Sequence, residues 1–98
     1  MKVGYIATLK VVDGKQAEFE AAFAKMQEAV KADEPGTLQY DLCRDEADAT
    51  TYRVMEQYEN LEARKVHGKS AAFGAAAAPL GAGVMAGAPD VVPVKMIG

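Results

Sequence analysis

The chain has 98 residues, half of them hydrophobic and 26% charged, with a formal net charge of -3; that suffices for one domain over residues 1–98 and is too little for two. Its basic residues are scattered from Lys2 to Lys95 with no cluster or stripe, which argues against a nucleic-acid partner. A single cysteine, Cys43, excludes an internal disulfide framework, and neither a leader pattern nor an apolar run of roughly 18 residues is present, so a cytoplasmic protein without membrane contact is expected.

Residues 3–11 alternate, with Val3, Tyr5, Ala7, Leu9 and Val11 on one face and Gly4, Ile6, Thr8 and Lys10 on the other. Both faces are largely apolar, which predicts a strand covered on both sides. Asp13-Gly14 breaks it, and Asp13 or a neighbour is placed to cap the helix that follows. From about residue 15 to 33, Phe19, Phe23, Met26 and Val30 recur at spacings of four, three and four, a single apolar stripe on a helix. Glu34-Pro35-Gly36 ends the helix, because the residue before proline leaves the α region and glycine can take a positive φ.

Residues 37–44 alternate again, with Leu38, Tyr40 and Leu42 expected inward. A polar turn over 45–50 leads to a third strand over 51–59, where Tyr52, Val54, Glu56 and Tyr58 share a face, and the short connection predicts an antiparallel hairpin. Asn60 is a good N-cap for a second helix that breaks near Gly68 and restarts at Ser70. Residues 79–90, rich in glycine, alanine and proline, read as a loop or frayed helix end. A last strand covers 91–97, with Pro93 confining it to an edge or a bulge.

The order β-α-β-β-α-β is the split βαβ, ferredoxin-like arrangement: an α+β fold with a four-stranded antiparallel sheet and its helices on one face. The second sheet face has apolar character and no helix to cover it. Pairing two such sheets into a dimeric α+β barrel, a homodimer, would solve this.

Between Gly36 and Phe73 the chain reads Gly36, Tyr40, Asp45, Asp48, Tyr52, Glu56-Gln57-Tyr58, His67, Ser70 and Phe73. In spacing this resembles the signature of the antibiotic biosynthesis monooxygenase (ABM) family: a glycine, a tyrosine four on, an acidic turn, a Glu-x-Trp strand end and a His-x-x-Ser helix. Tyr58 stands where the family usually has tryptophan, and Ala72 where a second histidine is frequent. The resemblance implies a cofactor-independent oxidation by O2 of a small aromatic: a quinol, an anthrone or a polyphenol. Such substrates carry their own electrons to oxygen once deprotonated. Haem-degrading members align an asparagine, a tryptophan and a histidine ligand with Ala7, His67 and Ala77 here, so the resemblance does not extend to haem.

His67 is the sole histidine and the natural acid–base candidate near neutral pH; a histidine satisfied within the core is the plainer reading. Glu56 either orients His67 or bonds a substrate hydroxyl, or else it pairs with Arg44 on the neighbouring strand. Tyr58 lines a pocket or packs with its hydroxyl at the rim. Tyr5, Tyr40, Phe23 and Phe73, with Phe19, wall an aromatic-binding cavity or form ordinary core. A non-catalytic binding protein or a lactone-type isomerase would use the same cavity. One histidine and one cysteine supply no ligand pair for a metal, and no phosphate loop or dinucleotide fingerprint occurs.

Overall fold

The computed structural model describes residues 1–81 and 83–98; Ala82, inside the loop expected over 79–90, lies outside the described residues. The strands are β1 (Val3–Lys10), β2 (Thr37–Arg44), β3 (Thr51–Tyr58) and β4 (Asp90–Val94), and the helices α1 (Gln16–Asp33), α2 (Leu61–Lys69) and α3 (Ala71–Ala77). They form one antiparallel sheet in the order β2-β3-β1-β4. This is the α+β ferredoxin-like arrangement anticipated from the element order. β4 is an edge strand, so Pro93 removes no ladder donor from the interior of the sheet. The strand stops at Val94 rather than running to Ile97.

Local chemistry explains each boundary. Gly14 takes φ +89 in the turn after β1, a conformation that a side chain would strain. No side chain caps α1; Asp13 instead accepts from the Gln16 amide at 3.2 Å, so the expected capping role is not the one it plays. Asn60 does cap α2, accepting from the Ala63 N–H at 2.9 Å. Ser70 ends that helix and caps the next through the Phe73 N–H at 3.1 Å.

Two expectations need correction at β2. Gly36 is not among the positive-φ glycines. Its lack of a side chain matters for contact instead, since a Cβ there would lie 2.6 Å from the Ala63 Cβ, inside α2. Leu38 does not point inward: the β2–β3 register slips between Thr37 and Gln39, and Leu38 is 48% exposed at this bulge. From Tyr40 onward the alternation is as expected.

The acidic turn between β2 and β3 holds itself together. Asp45 accepts from the Ala47 and Asp48 N–H groups and from Arg53, and Asp48 accepts from Thr50 and Thr51. Those bonds favour both carboxylates and hold their pKa values below the ordinary range. These motif positions serve the hairpin.

The core lies between the sheet and the helices. Ala7, Leu9 and Val11 of the β1 segment meet Phe19, Phe23 and Met26 of α1 and Tyr52 and Val54 of β3. Val84 joins them, 3% exposed, from the segment read as loop. An isolated bridge between Val11 and Met85 holds that segment against the end of β1. On the opposite sheet face, register aligns Met55, Ile6 and Val92 in one row, with Met55 and Val92 more than two-fifths exposed.

Candidate active site

A cavity of about 300 Å³ opens between the sheet, α1 and the α3 segment. Its walls are apolar: Ala7, Leu9, Phe19, Phe23, Met26 and Phe73 are among them, with Met85 and Val91 from the C-terminal part of the chain. The residues in the wall that carry polar groups are Glu56 and Tyr40. Both come from the helix-facing side of adjacent strands, where register sets Tyr40 directly opposite Glu56. The strand pleat therefore fixes their separation, and neither depends on a loop for its position.

Glu56 is buried, and its Oε1 accepts a hydrogen bond from the Tyr58 hydroxyl two residues on. It meets neither of the partners expected for it. Arg44 pairs with Glu20 at 3.8 Å, and the same Glu20 carboxylate accepts from the Tyr52 hydroxyl at 2.6 Å. The partner of His67 is Glu34, whose Oε1 lies 2.8 Å from the imidazole Nδ1. Both residues are buried, at 6% and 3% exposure, and Thr37 donates its hydroxyl to the same Glu34 oxygen at 3.1 Å. A proton on Nδ1, donated to the Glu34 Oε1, fits this geometry.

Around His67 the rings close in: Phe73 at 4.3 Å between centroids, Tyr40 at 5.0 Å and Tyr58 at 5.6 Å. Phe23 stacks on Tyr40 at 5.2 Å with 6° between planes. Tyr5 packs edge-on to Tyr58 at 6.1 Å. Of the site residues expected from sequence, Glu56, Tyr40, Phe23 and Phe73 line the cavity. His67, Tyr58 and Tyr5 stand behind that wall, in contact with it. Glu34 was missed entirely. Its adjacent Pro35-Gly36 marks a helix end, and nothing local announces a partner 33 residues away.

Burial pushes the Tyr40 phenol upward from its ordinary value, and the Glu56 and Glu34 carboxylates add to the rise. Tyr58 is raised still further, by burial first and then by its hydrogen bond to Glu56. A phenol whose folded pKa exceeds its unfolded one contributes stability that is complete below about pH 10 and is lost as the pH rises through the folded values. Tyr52 is raised too, by burial and by its hydrogen bond to Glu20, so alkaline titration followed by phenolate absorbance should show three tyrosines resisting ionisation until the protein unfolds. Tyr58→Phe should remove one of them and leave the other two.

Among the described residues no group of three or more His, Cys, Asp or Glu side chains is placed to hold a metal ion. Nor, among them, is any helix long and apolar enough to cross a membrane.

The family model for antibiotic biosynthesis monooxygenases matches residues 3–79. The chain belongs to that family. A crystal structure from Caulobacter crescentus CB15, assigned to the same family, is 41% identical, with a TM-score of 0.91 over 99% of this chain and 91% of that one. The fold recurs at lower identity. A family protein from Nitrosomonas europaea superposes with a TM-score of 0.86 at 18% identity, covering 98% of this chain and 90% of its own. SnoaB, a cofactor-independent oxygenase from Streptomyces nogalater, gives 0.80 at 20% identity over 97% and 92% of the two chains. No curated protein matches the chain. The family match ends within the turn after α3, so the last cavity-lining residues, Leu80, Met85, Pro89 and Val91, fall outside it.

Proposed function

We propose that the chain is a cofactor-independent monooxygenase that oxidises a quinol, anthrone or polyphenol-like aromatic with O2. The observation that carries this reading is the cavity: a space for a small ring system, apolar throughout except where Glu56 and Tyr40 enter it. The family's name and the cofactor-independent oxygenase among its structural neighbours support the same chemistry.

In this mechanism the Glu56 carboxylate, held by the Tyr58 hydroxyl, accepts the proton of a substrate hydroxyl. The resulting anion gives one electron to O2, and the radical and superoxide combine at a ring carbon to form a hydroperoxide. Loss of water leaves a new carbonyl, so one oxygen atom enters the product and the other departs in water. Apolar walls exclude solvent while this happens, and Tyr40 donates a hydrogen bond to the developing oxyanion. His67, fixed by Glu34, supports the Tyr40 and Phe73 rings and so keeps the substrate plane in place. The row of half-buried Ile6 between exposed Met55 and Val92 makes the outer sheet face the surface on which two copies pair.

The test is oxygen uptake by the purified protein over a panel of reduced naphthoquinols, anthrones and polyphenols, corrected for autoxidation. Saturable uptake without added cofactor supports the reading. Binding without consumption would make this a binding protein, and anaerobic turnover an isomerase. His67→Ala should reduce uptake by less than about tenfold while lowering Tm, because it leaves the buried Glu34 carboxyl with the Thr37 hydroxyl alone, a loss of roughly 1–3 kcal/mol. A loss of about 100-fold in a well-folded His67→Ala variant would return the proton-accepting role to the imidazole.

A further inference from the structure

The cavity has walls of two kinds. Ala7, Leu9, Phe19, Phe23, Met26 and Val54 are buried and form its floor. Phe73, Ala77, Leu80, Met85, Pro89 and Val91 line it too, but they are half-buried or exposed. The mouth therefore lies among this second set, and it has two rims. One comes from α3 and the turn after it. The other comes from residues 85–91, which run along the sheet edge to the point where Val91 stands opposite Ala7.

The rims are held differently. No residue of α3 is buried. The second rim is pinned to the end of β1: the Val12 N–H donates to the Val84 carbonyl at 2.8 Å and the Ala86 N–H to the Lys10 carbonyl at 2.8 Å, bracketing the bridge between Val11 and Met85. Val84 anchors the segment in the core, and Met85 packs against that core while lining the cavity. Its backbone is thus fixed on both sides, and an unbranched side chain reaches the mouth from a defined point. At about 300 Å³ the cavity is at the lower end for small-molecule sites, so one side chain at the mouth takes a large share of the usable space. The thioether bears no acid or base, and the proton transfer at Glu56 does not use it.

We propose that Met85 is the specificity-determining residue of the cavity, the side chain against which the fused-ring system of the substrate ends. The proposal rests on the cavity being the substrate site. The hydroxyl facing Glu56 sets one end of the ring system, and Met85 limits how far the other end extends towards solvent. Residue 85 then decides how many fused rings are accepted, while Glu56 decides the chemistry.

Anaerobic titration of the intact protein with 2-naphthol and with 2-anthrol, which differ by one fused ring, tests this without turnover. A single methylene in an apolar pocket is worth about 10- to 200-fold in selectivity. Met85→Ala should therefore shift the ratio of the two affinities towards 2-anthrol by about tenfold or more. Met85→Phe should shift it the other way. A ratio unchanged in Met85→Ala, or 2-anthrol binding undiminished in Met85→Phe, would overturn the proposal. If Met85→Ala does not fold, as judged by circular dichroism, Met85→Val is read by the same criterion. A ratio that follows residue 85 in a protein that consumes no oxygen would keep the specificity wall and sink the monooxygenase. Oxygen uptake whose ring preference is the same in Met85→Ala as in the unaltered protein would do the reverse.

Discussion

Glu56→Gln is expected to lower saturated oxygen uptake by about 100-fold or more, the usual contribution of a positioned general base. The substitution keeps the shape of the side chain and its acceptor oxygen, so the Tyr58 hydroxyl can still donate to it. What disappears is the capacity to receive a proton inside the cavity. The binding of a non-oxidisable aromatic should change far less than turnover does, because the wall remains apolar around it. Raising the pH should partly rescue the variant on substrates that ionise in solution, since these arrive already deprotonated. If Glu56→Gln instead retains full turnover, the carboxylate has no part in proton removal, and the substrate ionises before it binds.

The second large effect concerns the fold. Phe19→Ala should destabilise the protein by about 3–5 kcal/mol, the range for truncating a buried phenylalanine. Phe19 is fully buried, lies 4.7 Å from Tyr52 and 5.9 Å from Phe23, and is the point where α1 meets β3. For a domain this size that corresponds to a fall in Tm of roughly 12 °C or more. Phe73→Ala is the control: its ring is only partly buried and rides on a seven-residue helix, so its removal should widen the cavity at a much smaller thermal loss. Differential scanning calorimetry at one fixed protein concentration separates the two. A drop below about 4 °C for Phe19→Ala would mean that the cavity side collapses to fill the space, and that α1 is anchored elsewhere.

Much of the architecture was legible because it rests on local periodicity. The α1 stripe, the alternation in β1 and β3, and the two side-chain caps at Asn60 and Ser70 are properties of short windows of sequence. The failures have a common cause, which is contact between distant segments. Gly36 looked like a residue for a special backbone angle, whereas its constraint is Ala63 across the β2–α2 junction. Leu38 fits an alternating pattern, yet a register slip against β3 turns it outward. Val84 and Met85 sit among glycines and alanines that suggest irregular chain, but the bridge to Val11 recruits them to the interior. At the site, the cavity-lining carboxylate and the aromatic walls could be named from the strand pattern. The pairing of His67 with Glu34 depended on how α2 docks beside the end of α1, which no spacing encodes.

Six residues that build the central core, namely Ala7, Leu9, Phe19, Phe23, Met26 and Val54, are also walls of the cavity. Recognition and folding are therefore written in the same side chains. A molecule seated there touches the residues on which the whole domain depends, and its binding energy feeds straight into the unfolding equilibrium, about 2.7 kcal/mol at a concentration one hundred times its dissociation constant. Melting temperature becomes a chemical sensor: a library of small aromatics can be ranked by thermal shift before any reaction is known. The same coupling constrains sequence change, since a substitution that reshapes the walls for a new substrate also alters the stability of the fold.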